Sequence, residues 1–170
     1  MLVNSPEVHA FFTDLLTTYA KHFAGSQNLD ISRLPLVFGE IYYNLETMGH
    51  CFPSQIIYPY QEQEITIELN RLYLLNKFGF DKYFTSYPQY GEYTYLDISF
   101  DKMIDTCSHE IAHYIQLIKW GRSSCESDLK IRKKEYNPVL AKEHEEWTKE
   151  IYQMIKPKYS EWEKRWKEVE

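Results

Sequence analysis

The pattern of apolar and polar residues predicts helices toward both ends of the chain and short strands between them. A first helix should run from the Ser5-Pro6 pair to Gly25, because Ser is a good N-cap and Pro suits the first helical turn. Between Leu34 and Asn70, apolar residues occur in short runs or alternate with polar ones, which is typical of strands. The strand-like segments are 36–38, 40–43 and 64–69, and Gly49, Pro53 and Pro59 separate them as turn residues.

After residue 70, the same reading predicts a short helix over 71–78 and a strand over 93–98. A second long helix begins near Ser99 or Asp101 and ends at Trp120, with its apolar residues inside an arc of about 120°. Asn137-Pro138 should open a third helix that runs to about Ile155, because Pro157 follows. A last amphipathic stretch carries Tyr159, Trp162 and Trp166.

Length and composition are those of one soluble globular domain. The chain has 170 residues, of which 44% are hydrophobic and 26% charged. We therefore expect a single domain over 1–170, with 157–170 as a C-terminal tail. A net charge of −6 argues against a broad basic face for nucleic acid. No apolar run approaches the length of a membrane span, and no secretory signal is visible, so we expect a cytoplasmic protein without a membrane partner.

The three cysteines, Cys51, Cys107 and Cys125, form no CxxC pair. Their odd number and their spacing argue against a disulfide framework and exclude a Cys-rich zinc ribbon. Reduced thiols are the expectation.

One motif carries recognisable chemistry: residues 109–113 read His-Glu-Ile-Ala-His, an HExxH pattern on the second long helix. Residues four apart share a helical face, so His109 and His113 can offer two imidazoles to one metal ion. Glu110 is rotated about 100° from His109, where it can reach a metal-bound water without acting as a ligand. The motif therefore predicts two zinc ligands and a general base.

Catalytic zinc usually has three protein ligands, and the third helix offers His144. This histidine lies in the apolar stripe of that helix, together with Trp147 and Ile151. A carboxylate is the alternative ligand. Glu143 borders the stripe, whereas Glu145 and Glu146 point away from it and Glu126 and Asp128 precede the helix. The remaining histidines, His9, His22 and His50, are expected to be structural or exposed.

The sequence HEIAHYIQ, followed by His144-Glu145-Glu146-Trp147, resembles the SprT-like family of zinc metallopeptidases. The segment from Ile67 to Asn70, with Leu72 and Leu74 after it, is similar to one that precedes the active-site helix in that family. The resemblance covers about residues 65–155. It implies an α+β, zincin-like fold: a small, mainly antiparallel sheet, an N-terminal helix, the HExxH helix and a third-ligand helix.

The resemblance also implies peptide-bond hydrolysis in protein substrates, with zinc held by His109, His113 and His144. In zincins an edge strand binds the substrate as an added strand, and residues 93–98 are our candidate. Some members of the family act on proteins attached to DNA, so DNA is a partner by resemblance only. The basic group at 130–134 could touch phosphate, although a solvated loop is the simpler interpretation.

Several points stay open at the level of sequence. Tyr114, Arg122 and Tyr136 are candidate oxyanion donors, and manganese or iron could fill a similar site. The alternative function is a non-catalytic module, in which a structural zinc would tie two helices together for DNA or protein binding.

Overall fold

The computed structural model describes residues 5–43, 47–53, 56–57, 61–62, 64–85, 94–121 and 137–169, which form an α+β fold. The α-helices are α1 (Pro6–Ser26), α2 (Phe100–Trp120), α3 (Pro138–Ile155) and α4 (Tyr159–Glu168). Two 3₁₀ segments occupy Arg71–Phe78 and Lys156–Lys158. The strands are β1 (Leu36–Tyr42), β2 (Gly49–Pro53), β3 (Ile56–Ile57), β4 (Gln61–Glu62), β5 (Ile65–Asn70), β6 (Lys82–Thr85) and β7 (Thr94–Asp97).

The predicted starts of the three long helices are confirmed by their caps. The Ser5 hydroxyl accepts a hydrogen bond from the Val8 amide at the start of α1. Ser99 caps α2 in the same way, and the Asn137 side chain accepts two amide hydrogen bonds at the start of α3. These short polar side chains satisfy amides that have no partner within the helix. Each helix therefore begins where its local sequence predicts.

The central sheet has the strand order β1-β5-β2. Strand β5 is parallel to β1 and antiparallel to β2, so this sheet is mixed, while the β3–β4 and β6–β7 pairs are antiparallel. Strand β5 is flanked on both edges, and its side chains are almost all buried. The α+β class is thus confirmed, and the parallel β1–β5 pair is the departure from a mainly antiparallel sheet.

The sequence pattern does not predict strand β2, because Gly49 and Pro53 are typical turn residues. Both are tolerated here because β2 lies at an edge of the sheet and Pro53 is its last residue. The predicted strand at 93–98 exists as β7, but it pairs with β6 and not with the central sheet. Residue 93 itself lies outside the described residues.

The core lies between the central sheet and the helices. Helix α1 packs on β1 and α2, and α2 also packs on β2 and α3. Buried side chains of α1, such as Phe11, Phe12 and Leu15, join those of α2 and the sheet in one cluster. Within the described residues, no helix is both long and apolar enough to cross a membrane. The assignment of 1–170 to one domain stays a prediction.

The stretch predicted as a tail contributes helix α4 to this core. Trp162 and Trp166 are buried, and the Trp162 indole donates a hydrogen bond to the Tyr19 hydroxyl at 2.7 Å. Trp166 packs against Phe11 and Phe12, and its indole donates to the Asn76 side chain at 2.6 Å. Helix α4 is therefore part of the structure that supports α1.

We expect Trp166→Ala to lower the free energy of unfolding by about 3–5 kcal/mol, because it removes a large buried side chain and leaves a cavity. Urea denaturation followed by circular dichroism measures this. Val139→Ala is the matched control on a helix surface, since Val139 is 74% exposed, and it should change stability by less than about 0.5 kcal/mol. Equal effects of the two substitutions would contradict the packing of α4.

Candidate metal centre

Helix α2 presents the HExxH residues on the side that faces β2 and α3. His109 and His113 lie one turn apart, and their Nε2 atoms are 3.0 Å apart. The side chain of His109 is 36% exposed, whereas His113 is buried. His113 therefore lies on the buried side of the site, and His109 lies on its accessible side.

Helix α3 brings His144 to the same place. Its ring stacks on that of His113 with 3.7 Å between centroids and lies edge-on to His109 at 4.4 Å. The Nε2 atom of His144 donates a hydrogen bond to the backbone carbonyl of His109 at 2.9 Å. Because a carbonyl can only accept, this contact leaves the lone pair of His144 on Nδ1. The contact also orients the ring, as partners of metal-binding histidines do.

The donor set fits a metal ion. His109, His113 and His144 each offer one nitrogen, and these ligand atoms all lie within 4.8 Å of one another. Two ligands of a tetrahedral zinc ion stand about 3.3 Å apart, given bonds of about 2.0–2.1 Å. The spacing between the histidines of α2 is near that value. Neutral imidazoles suit zinc, and also iron, copper and nickel, so the geometry defines a possible metal centre without identifying its ion.

Glu110 lies beside this cluster and is almost completely buried, at 2% exposure. Its Oε1 atom is 3.9 Å from Nε2 of His109. A cavity of about 230 Å³ adjoins the carboxyl group, between the start of β2 and the face of α2 that carries Thr106 and His109. The carboxyl group is therefore next to the cluster and next to a space that can hold part of another molecule.

Glu143, the alternative third ligand, has other hydrogen-bond partners. Its carboxylate accepts hydrogen bonds from Gln116 at 3.1 Å, Trp120 at 2.7 Å and Lys119 at 3.0 Å. Gln116 also donates to the backbone carbonyl of Leu140. These contacts, which we call the Glu143 clamp, join the end of α2 to the start of α3. Glu143 therefore helps to hold α3, and the histidine that follows it, against α2.

The other sequence predictions have mixed outcomes. His9 is a structural residue whose Nε2 atom donates a hydrogen bond to the Phe38 carbonyl at 2.8 Å. His22 is exposed, and His50 stacks on Tyr42. Tyr114 donates its hydroxyl to the Leu34 carbonyl, so it is committed away from the histidines. Glu145 and Glu146 are exposed, as predicted.

Some candidates lie outside the described residues. They are the possible oxyanion donors Arg122 and Tyr136, the acidic residues Glu126 and Asp128, Cys125 and the basic group at 130–134.

Sequence reasoning missed the residues that support the site. Gln116 follows His113 by three positions and shares its helical face, which was a usable signal for a polar contact across from α2. The partner of Gln116 depends on how α2 and α3 pack, and no local pattern reveals that. Gly49 was also missed, because a glycine between strands reads as a turn residue.

Comparisons with known proteins add no identification: no family model, no curated protein and no solved structure matches this chain. The resemblance to the SprT-like family therefore stays a prediction.

We expect about one zinc ion per chain in protein purified without a His tag, measured by mass spectrometry. His144→Ala should weaken zinc affinity by more than about 100-fold, because losing a ligand costs more than losing one of its supporting partners. His22→Ala, which alters an exposed histidine far from the cluster in sequence, should leave the affinity unchanged. Full zinc retention in His144→Ala would place the third ligand elsewhere.

The Glu143 clamp predicts a pH-dependent contribution to stability. Burial alone would raise the pKa of Glu143, but hydrogen bonds from Trp120, Gln116 and Lys119 hold its pKa below the ordinary value. A carboxyl group with a lowered folded pKa stabilises the protein above its unfolded pKa of about 4.3, and this contribution is lost as the pH falls through the folded pKa.

At pH 7, Glu143→Gln should therefore lower stability by about 1–2 kcal/mol. The gap between wild type and variant should narrow as the pH falls below about 4, measured by urea denaturation across pH 3–7. Glu145→Gln is the control, since Glu145 is exposed and bonded only to Lys149 among the contacts described. A gap that stays constant with pH would argue against the clamp.

Proposed function

We propose that this protein is a zinc-dependent metallopeptidase that hydrolyses peptide bonds of protein substrates, with Glu110 as the general base. One observation carries the proposal: histidines from two helices converge, and a buried carboxyl group lies beside them, next to a cavity. A purely structural zinc site needs ligands but has no use for this neighbouring base. The proposed zinc ligands are His109, His113 and His144.

Zinc, when bound, supplies a Lewis acid that lowers the pKa of a coordinated water and polarises a carbonyl group. The role of the chain is to move the proton. The Glu110 carboxylate would take a proton from the attacking water and pass it to the amide nitrogen as the carbon–nitrogen bond breaks. Its position 3.9 Å from His109 Nε2 puts Oε1 near any water in the cluster. Among the described residues, we assign no donor to the oxyanion.

Strand β2 is a better candidate for substrate binding than residues 93–98. It packs against α2, and Gly49 at its start lines the cavity beside Glu110. An extended substrate peptide would lie in this cavity, beside the start of β2. Strand β7, in contrast, belongs to a separate hairpin with β6.

The test is Glu110→Gln, assayed on fluorescein-labelled casein with zinc content measured in parallel. We expect kcat to fall by roughly 10²–10⁴-fold, because the proton acceptor is lost, while about one zinc per chain is retained. Glu145→Gln, a carboxylate on the exposed side of α3, is the control and should retain activity. Zinc binding with undiminished hydrolysis in Glu110→Gln would refute the assigned role.

A wild-type protein that binds zinc tightly but cleaves no protein or peptide would favour the alternative, a zinc-stabilised binding module. A DNA-dependent activity belongs to the family resemblance alone, and salt-sensitive DNA binding is the observation that would support it.

A further inference from the structure

The start of strand β2 lies unusually close to the proposed base. A Cβ atom built on Gly49 would stand 2.9 Å from Oε1 and 3.1 Å from Cγ of Glu110, and 3.0 Å from Cγ2 of Thr106. Carbon atoms in protein interiors pack at about 3.5–4.0 Å. Gly49 therefore occupies a place where no side chain fits unless a neighbour moves.

Both neighbours on α2 are buried. Glu110 is 2% exposed and Thr106 is 7% exposed. The Thr106 hydroxyl is hydrogen-bonded to the Tyr73 hydroxyl at 2.5 Å, and Tyr73 is itself buried. Tyr73, in the 3₁₀ segment after β5, thus helps to hold Thr106 in its position facing Gly49.

The backbone on the other side is also fixed. Gly49 pairs with Leu69 of β5, whose side chain is fully buried. Just before β2, the carbonyl of Met48 accepts from the Asn70 amide and the carbonyl of Thr47 accepts from the Asn70 side chain, both at 2.9 Å. These bonds tie the start of β2 to the end of β5, so the strand cannot retreat from α2 without breaking them.

We propose that Gly49 is a positioning residue for Glu110. The bare backbone of β2 packs against the carboxyl group and, together with Thr106, confines it to the side of the site where Oε1 lies 3.9 Å from His109. The catalytic meaning of this contact rests on the proposed function. The contact itself does not, so stability and activity can test the two separately.

The test is a double-mutant cycle on thermal stability. Gly49→Ala should lower Tm by roughly 3–10 °C, since its Cβ atom would force a buried neighbour, Glu110 or Thr106, to shift. In a Glu110→Ala background, which removes both of the clashing Glu110 atoms, the same substitution should cost less than half as much. Coupling of this kind is expected only where the two residues compete for one space.

Gly39→Ala is the matched control for a crowded strand glycine. Its Cβ would stand 2.6 Å from Thr66 Cγ2 and close to Glu68, with no atom of Glu110 among the nearest three. It should lower Tm equally in both backgrounds. Gly25→Ala is the control without a clash, because nothing lies within 4 Å of its Cβ position, and it should not lower Tm. Equal losses for Gly49→Ala in both backgrounds would overturn the proposal.

If Gly49→Ala does not fold, the Gly49→Ala/Glu110→Ala double variant decides: folding of the double variant supports the proposal, and its failure to fold contradicts it. Where Gly49→Ala folds, it should keep zinc affinity within about threefold of wild type and lose at least about 10-fold in kcat on labelled casein. It should cause no further loss in a Glu110→Gln background. If wild type shows no hydrolysis, the proposed function fails, while the stability cycle still tests the contact.

Discussion

The contact between helices α2 and α3 is the constraint on which the candidate metal centre depends. Local spacing on α2 alone brings His109 and His113 together, but the approach of His144 requires α3 to lie at one height and one rotation. Three donors from the last turns of α2 converge on the carboxylate of Glu143, one residue before His144. Charge-assisted hydrogen bonds of this kind are short and directional. They fix the start of α3, and the apolar residues Trp147 and Ile151 continue the contact into the core.

Aromatic packing of α1 against α3 and α4 also supports the contact between α2 and α3. Helix α1 carries Phe11 and Phe12 toward the sheet and toward α4, while Phe23 packs edge-on against Trp147 of α3 at 5.3 Å. Edge-to-face contacts between large rings add rigidity to ordinary apolar burial. The buried Phe and Trp residues thus form a core that joins α1, α3 and α4.

Those features that depend on neighbouring residues could be predicted from the sequence. The caps at Ser5, Ser99 and Asn137 act within three residues, and the spacing of His109 and His113 is a property of any helix. The approach of His144 to the pair was also predicted, because the HExxH motif called for a third ligand and His144 lies on the inward face of its helix. The predictions that failed concern features that depend on tertiary contacts. Strand β2 contains two residues that usually mark turns, and only its edge position and its closeness to α2 explain why they are used.

Tertiary contacts also explain how the carboxyl group of Glu110 can be buried beside the histidines. Removing a carboxylate from water costs several kcal/mol unless it is well paired, and a glutamine or leucine of similar size would avoid that cost. Here Gly49 leaves space for the buried Glu110 side chain, and Thr106 beside it is hydrogen-bonded to Tyr73. Local rules of stability are most often broken where a site needs a particular group at a particular place. A confined carboxyl group beside three histidines fits a reaction that requires a base more readily than a site that only joins two helices.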